Sequence, residues 1–327
     1  MTDGLLTAYR RIRDTPTSPR LMRGLAVAAI VANAGIAITG GAVRLSESGL
    51  GCPTWPQCTN GSLLPTAANP TGAVHQGIEF GNRLLTFLVF ATALACVVAA
   101  WRLRPRRRDV RAIALLLPLG VVAQAVLGGI TVLEKLNPLT VAPHFLLSMV
   151  LTYVAVWLHA RTAEGDDPPA LLVRREIQLG IRLLVVVLMA TLVAGTLVTA
   201  TGPHAGDIHT RRLGWDPTMI TQFHADLVFL YVGLVIALIL GLRATRAPRR
   251  TQRRAIVLFG VVVLQAVVGY VQYFTHVPAV LVGVHIAGAT LATIATARLF
   301  FSTRERGPAP DAPALLGAED RETLIGL

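Results

Sequence analysis

Eight long apolar runs dominate the chain, and short polar connections separate them. Each run is long enough for the roughly 20 residues that a helix needs to cross a bilayer core. Lipid cannot satisfy backbone hydrogen bonds, and runs of this length do not indicate a closed barrel, so we predict helices. The predicted spans cover roughly residues 22–43, 76–101, 112–133, 139–160, 178–200, 221–242, 255–274 and 279–301. The pattern therefore predicts an all-α integral membrane protein.

The two halves of the chain resemble each other. Gln124–Val132 reads QAVLGGITV and Gln265–Tyr273 reads QAVVGYVQY, at an offset of 141. The same offset brings His144 onto His285. Since each half holds four spans, the halves share one membrane orientation and are parallel repeats. We predict eight transmembrane helices arranged as two parallel four-helix-bundle repeats, each with a site in its core.

These patterns divide the chain into five predicted segments. They are an N-terminal tail at 1–21, an N-terminal repeat at 22–160, a linker at 161–177, a C-terminal repeat at 178–301 and a C-terminal tail at 302–327. Composition agrees with a membrane protein, because only 15% of residues are charged and the mean hydropathy is +0.59. Soluble domains carry about 25% charged residues.

Charge predicts the orientation. A net charge of +12 would suggest nucleic acid in a soluble protein, but here the arginines cluster between apolar runs and no nucleic-acid partner is expected. The clusters lie in the N-terminal tail and in the second, fourth and sixth connections, which share one side of an eight-span chain. Cytoplasmic loops carry such excess positive charge. We therefore predict a bacterial plasma-membrane protein with both termini cytoplasmic and the first connection outside.

The first connection carries Cys52 and Cys58, with Pro53 and Pro56 stiffening the segment between them. Thiols outside a bacterial membrane can be oxidised and stay oxidised, so we predict a disulfide. Two roles stay open for it: a structural staple for a long outer loop, or a redox-active pair in electron transfer. Cys96, inside the second span, is interpreted as a small buried hydrophobe.

Four histidines open the even-numbered spans: His75, His144, His224 and His285. Ionisable residues in a membrane are costly and usually functional. Two histidines on facing helices at one depth can hold a heme iron from both sides, and His224 and His285 fit this best. A hydrogen-bonded bundle residue is the alternative for each histidine alone, but their repeated placement favours heme. Zinc is less favoured, because the spans offer no cysteine or acidic cluster at ligand spacing.

The N-terminal half departs from this pattern on its second span. Counting back from His144 by about the spacing of the C-terminal pair reaches Asn82. His75 lies seven residues earlier on the same helix face, about 10 Å nearer the outer end. Either the ligand has moved to His75, or His144 binds iron with weaker help, so the two sites differ chemically.

Glu79 lies one turn from both His75 and Asn82 on a shared helix face. A carboxylate at the end of a span, beside a heme pocket, is a candidate proton acceptor. The alternative is an ion pair with Arg83 that only anchors the helix end. Arg83 is also a candidate partner for a heme propionate.

Together these features resemble the heme A synthase family. The resemblance rests on CPTWPQC, on IEFGNR at Ile78–Arg83, on the two four-span halves and on the histidines of spans four, six and eight, and it covers about residues 22–301. It implies a membrane oxidoreductase that oxidises a ring methyl of heme O to a formyl group by successive hydroxylations. The product is heme A for terminal oxidases, and heme b is the implied cofactor.

Position by position, the resemblance implies that Glu79 is catalytic and that His224 and His285 bind heme b in the C-terminal repeat. It implies heme O in the N-terminal repeat, with His144 as an iron ligand. The family's histidine on span two is Asn82 here, which leaves His75 as the substitute candidate. The other positions that match the family are Cys52, Cys58 and Arg83.

The expected partners are heme O, the heme O synthase that supplies it, the lipid bilayer and an electron acceptor that the sequence does not identify. A homo-oligomer stays open. The alternative function is a di-heme b electron-transfer cytochrome, which would use the same paired histidines without needing Glu79. A transporter with histidine proton relays is a further alternative.

Overall fold

A computed structural model describes residues 16–66, 72–207 and 209–308, and these residues are mainly helical. The eight helices are α1 (Pro19–Leu45), α2 (Ala73–Arg102), α3 (Arg108–Leu133), α4 (Pro138–Thr162), α5 (Arg175–Thr201), α6 (Pro217–Ala244), α7 (Arg249–Phe274) and α8 (Ala279–Phe301). All eight are long and apolar enough to cross a membrane, which confirms the predicted all-α membrane fold. Most of the predicted tails 1–21 and 302–327 lies outside the described residues.

Seven of the eight described helices begin before the predicted spans, and polar side chains cap three of these starts. Ser18 caps α1, Asn137 caps α4 and Asp216 caps α6, and each accepts a hydrogen bond from a backbone amide of the first turn. A proline follows each cap directly, where its missing N–H costs nothing. The apolar run alone therefore underestimates the helix.

The helices pack in the same order of neighbours in both halves. In the N-terminal half α1 packs against α2 and α4, and α3 packs against α2 and α4. In the C-terminal half α5 packs against α6 and α8, and α7 packs against α6 and α8. Contacts of α8 with α1 and α4, and of α5 with α4, join the halves. The repeat relation itself stays a prediction.

The connections from odd to even helices all lie at one end of the bundle. They include the segment 46–66 with Cys52 and Cys58, the turns 134–137 and 275–278, and the connection 202–216. We call this end the disulfide end. The other connections, rich in arginine, form the opposite end.

Large side chains that are fully buried lie between the middle of the helices and the opposite end. They include Met22, Val110, Leu117 and Leu158 in the N-terminal half, and Ile181, Leu184, Leu242, Leu258 and Leu299 in the C-terminal half. Cys96 is a free cysteine and is fully buried in the N-terminal cluster. The dense cores therefore stand away from the histidines that open the even helices.

A buried ion-pair network orders the opposite end. Arg107 and Arg161 are only 4% and 3% exposed, and both pair with Asp166, at 2.8 and 2.9 Å. Two short strands, β1 (Ala170–Leu171) and β2 (Arg304–Glu305), pair antiparallel beside them. Buried guanidinium groups are tolerated because hydrogen bonds satisfy them. The network ties the linker between the halves to the chain that follows α8.

Candidate functional site

His224 and His285 face each other in the C-terminal half. They are the eighth residue of α6 and the seventh of α8, so they lie at nearly the same depth below the disulfide end. Their ring centroids are 6.4 Å apart. Two metal–nitrogen bonds of about 2 Å, each with about 1.1 Å from nitrogen to ring centre, would place the centroids about 6.2 Å apart. The two rings are therefore spaced to bind one iron between them.

Hydrogen bonding prepares His224 for this role. Its Nδ1 lies 3.1 Å from the carbonyl oxygen of Thr191 on α5. A carbonyl can only accept, so Nδ1 carries the proton and donates it, which leaves the lone pair of Nε2 available to a metal. The contact also fixes the plane of the ring.

Each of three histidines lies edge-on against a glycine of the preceding helix. The contacts join His144 to Gly128, His224 to Gly195, and His285 to Gly269. A Cβ atom on these glycines would stand 3.0, 3.2 and 3.3 Å from the Cε1 atom of the ring. These distances are tighter than ordinary van der Waals contact, so a side chain at the glycine would push the ring from its place. The glycines therefore set the position of each imidazole.

Asn82 also lies near a glycine of the preceding helix. A Cβ on Gly40 of α1 would lie 3.8 Å from Nδ2 of Asn82, which is ordinary contact, and the Thr39 hydroxyl donates to its Oδ1 at 2.7 Å. The equivalence of Asn82 with the three histidines stays a prediction. His75 lies near the start of α2, and its Nδ1 is 3.0 Å from the hydroxyl oxygen of Ser48. Which of the two would serve an iron stays a prediction.

Two glutamines hold the helix turns that carry histidines, a role that the sequence interpretation did not assign. The side-chain amide of Gln124 donates to the carbonyl of His144 at 3.0 Å, and Gln265 donates to the carbonyl of His285 at 2.6 Å. Both begin the repeated QAV segment, which was interpreted only as a sign of duplication. A polar side chain inside a membrane span needs a hydrogen-bond partner, and this requirement could have singled out the two glutamines from the sequence.

Glu79 is buried on α2, and both of its carboxylate oxygens have partners. Oε2 accepts the backbone N–H of Cys52 at 2.7 Å. Oε1 accepts hydrogen bonds from Nη2 and Nε of Arg83, at 2.6 and 3.1 Å. The carboxylate therefore joins the Cys52 loop to α2, in addition to forming the predicted pair with Arg83. Its role as a proton acceptor stays a prediction.

Arg83 also binds the carbonyl groups of the same loop. Its Nη2 donates to the carbonyl of Cys52 at 2.8 Å, and its Nη1 donates to those of Thr54 and Gln57, both at 3.1 Å. Cys52 and Cys58 form a disulfide and are fully buried, which confirms the predicted bond. The guanidinium thus binds the segment 52–58, which we call the disulfide loop. Its predicted bond to a heme propionate stays a prediction.

The disulfide loop also reaches α3. A Cβ on Gly129 would lie 2.5 Å from Cδ2 of Trp55, so the indole ring rests directly on the helix backbone. The neighbouring Gly128 is the residue that faces His144. The loop therefore covers the end of the N-terminal bundle, close to the histidine of α4.

Comparison with known proteins agrees with this arrangement. The profile of the COX15-CtaA family, described as cytochrome oxidase assembly protein, matches residues 23–297, from α1 to α8. The chain belongs to the COX15-CtaA family. Eight membrane-crossing helices and bacterial relatives make it a multi-pass membrane protein of this family.

Several relatives are named heme A synthase. That of Lysinibacillus sphaericus (strain C3-41) is 36% identical over 140 residues, which are 42% of this chain and 44% of the relative. That of Halalkalibacterium halodurans is 32% identical over 143 residues, 43% of this chain and 46% of the relative. That of Bacillus cereus (strain 03BB102) is 24% identical over 254 residues, 74% of this chain and 80% of the relative. The chain thus spans less than half of the first two relatives.

Gly51 tests the docking of the disulfide loop. Its Cβ position lies 2.3 Å from the carbonyl oxygen of His75 and 2.9 Å from the backbone nitrogen of Gln76. Backbone atoms of a helix cannot yield, so we expect Gly51→Ala to displace the loop at a cost of about 2 kcal/mol. Amide hydrogen exchange at Cys52 should accelerate. Gly77→Ala is the control, since nothing surrounds that position. Unchanged exchange at Cys52 would contradict the described docking.

Proposed function

We propose that the protein is a heme A synthase, a membrane oxidoreductase that converts a ring methyl of heme O to a formyl group. The observation that carries heme binding is the 6.4 Å separation of the His224 and His285 rings, which would suit two ligands to one heme iron. Relatives named heme A synthase support the choice of reaction.

The C-terminal half, residues 178–301, would bind heme b. His224 and His285 would donate Nε2 to its iron, and the Thr191 carbonyl would keep the His224 proton on Nδ1. A heme bound in this way supplies one-electron transfer. Gln265 holds the backbone of His285, so the ligand has a fixed helix turn behind it. These contacts preorganise the pair.

The N-terminal half, residues 22–160, would bind heme O. His144 would be an iron ligand, and His75 or Asn82 would act from α2. Because Asn82 replaces a histidine, this site would hold iron less firmly than the C-terminal one. Weaker ligation suits a substrate that must enter and leave.

As the reacting methyl group is oxidised and its electrons pass to the electron acceptor, Glu79 would accept the proton that is released. Its Oε2 accepts a hydrogen bond from the N–H of Cys52, and its Oε1 accepts one from Arg83. A proton taken up at Oε2 would replace the Cys52 hydrogen bond, because a protonated carboxyl oxygen is a poor acceptor. Proton uptake would thereby loosen the disulfide loop over the substrate. This links the two interpretations of Glu79, since one carboxylate both anchors the loop and moves a proton.

The disulfide end would face outward and both termini would lie in the cytoplasm. The arginine-rich connections at the opposite end support this, since cytoplasmic loops carry excess positive charge. Heme O would come from a heme O synthase within the bilayer. The electron acceptor and a homo-oligomer are left open.

A di-heme electron-transfer cytochrome is the second candidate, and the paired histidines favour it equally. Two electron-transfer hemes would both be held firmly, whereas the α2 position facing Gly40 carries Asn82. A proton acceptor at Glu79 would also be needed for oxidation of a methyl group and not for simple electron transfer. These asymmetries favour the synthase.

Heme extraction tests the reaction and the role of Glu79. Coexpression with a heme O supply should yield heme A on chromatography of the extracted hemes. We expect Glu79→Gln to keep its bound heme and to lose at least ~90% of the conversion, since an amide cannot accept the proton. Glu47→Gln is the control, because Glu47 is an exposed glutamate of the connection between α1 and α2.

Arg83→Gln separates the two roles of Glu79, because it breaks the ion pair and leaves the carboxylate in place. An equal loss of conversion in Arg83→Gln and Glu79→Gln would reduce Glu79 to a loop anchor. Absence of heme A with the unmodified protein would refute the proposed function.

Visible spectra test the ligand pair of the C-terminal half. His224→Ala and His285→Ala should each abolish the low-spin spectrum of heme b, since each removes one axial ligand. His276→Ala, at an exposed position near the disulfide end, should leave it unchanged. A normal reduced spectrum in either ligand variant would exclude the assignment.

The ligand from α2 is tested by comparing two variants. If His75 binds iron, His75→Ala should eliminate heme A while the C-terminal heme b remains, and Asn82→Ala should be milder. If the Asn82 position determines how heme O sits, the order should reverse. Heme A per bound heme b is the quantity to measure. If both variants convert heme O as well as the unmodified protein does, His144 would be the single side-chain ligand of the iron.

A further inference from the structure

Two arginines near the disulfide end have no acidic partner. Arg44 lies in the last turn of α1, and its Nε donates to the carbonyl of His204 at 2.5 Å. Arg212 lies in the 202–216 connection, where its Nη1 is shielded from solvent and has no hydrogen-bond acceptor among the described residues. Within residues 16–66, 72–207 and 209–308, neither arginine forms an ion pair with a carboxylate.

The two guanidinium groups are close enough for their charges to act on each other. Burial also lowers the pKa of Arg212 below its ordinary value. Arg212 is only partly buried, but two like charges that are even partly withdrawn from water are unfavourable unless an anion lies between or beside them. The planar fork of arginine matches the two oxygens of a carboxylate or a phosphate. The pair therefore has the chemistry of an anion-binding site.

The end of α1 lies along the first turns of α8, beside His285. A Cβ on Gly41 would stand 2.9 Å from Ile286, and one on Gly283 would stand 3.2 Å from Leu45. Arg44 precedes Leu45 directly, and His285 precedes Ile286. Arg44 is thus about one turn from the level of His285, on the side of the disulfide end.

The connection that carries Arg212 closes over the C-terminal bundle. His204, whose carbonyl accepts from Arg44, also bonds through Nε2 to the carbonyl of Val277 at 2.9 Å. Val277 belongs to the turn between α7 and α8. Arg44 therefore lies at the mouth of the bundle that contains His224 and His285, and Arg212, on the same connection as His204, lies close enough for its charge to act on Arg44.

We propose that Arg44 and Arg212 bind the propionate carboxylates of the heme that His224 and His285 hold. The inference rests on the proposed function, because it requires a heme at that pair. Arg83, by contrast, is already occupied by Glu79 and by loop carbonyls. Since Arg44 belongs to the N-terminal half, the heme site of the C-terminal half would be completed across the interface between the halves.

Heme retention and reduction potential give the first test, on the full-length purified protein. Arg212→Gln and Arg44→Gln should each reduce the heme b content several-fold and lower the midpoint potential. A carboxylate that loses its cation stabilises the ferric heme. Arg211→Gln is the matched control, since Arg211 is exposed and adjacent. Arg44→Lys keeps the charge and guards against a folding defect. Unchanged heme content and potential in both glutamine variants would overturn the proposal.

Competition between heme b and its dimethyl ester gives the second test. The full-length protein, produced without heme and then reconstituted, should bind heme b more tightly than the ester, whose propionates carry no charge. The double variant Arg44→Gln/Arg212→Gln should lose this preference by about tenfold or more. Arg211→Gln should keep it.

An equal preference in the double variant and the unmodified protein would overturn the proposal. If the double variant instead loses copurified anionic phospholipid and keeps the preference, the arginines bind lipid phosphate and the proposal is wrong. If the unmodified protein binds no heme at all, the proposed function fails. If the unmodified protein makes heme A and the arginine variants bind heme as well as it does, the proposed function stands and this inference alone fails.

Discussion

A backbone amide in a bilayer core has no water to bind, and this constraint shapes every part of the molecule. It requires eight continuous helices, and it restricts irregular backbone to their ends. It also removes the hydrophobic drive between helices, so close approach at small residues matters more. Gly128, Gly195 and Gly269 show the consequence, because each lets an imidazole ring lie directly against a neighbouring helix. Fold and candidate site therefore depend on the same constraint.

Polar groups that leave the water must find partners, and the disulfide loop is organised by that need. Glu79 and Arg83 lie on α2, one turn apart, and together bind an amide and three carbonyl groups of the loop. Trp55 then covers Gly129 beside the histidine of α4. The loop is thus fixed to the N-terminal bundle by hydrogen bonds to Glu79 and Arg83 and by the Trp55 contact, while the disulfide closes the loop on itself. Any chemistry at Glu79 would be coupled to the position of this loop.

The two halves share their helix order and their glycine contacts, yet they differ where function would differ. Three even helices present histidine to a glycine, and the fourth presents Asn82. The C-terminal pair is symmetric in depth, with one ring oriented by Thr191. Arg44, which comes from the other half and has no carboxylate partner among the described residues, lies at its mouth. A duplicated scaffold would therefore supply one firm heme site and one exchangeable site.

The sequence by itself determined the eight helices, the disulfide and the likeness of the segments around His144 and His285. Apolar runs, the two cysteines of one short connection and the offset of 141 are local or periodic signals, which can be recognised without knowledge of the packing. Only the tertiary structure decided the partners of Glu79 and the roles of Gln124 and Gln265. It alone brought Arg44 and Arg212 together. Those contacts join residues from different helices and loops, and side-chain partners across such distances are set by how helices pack, which no spacing along the chain records.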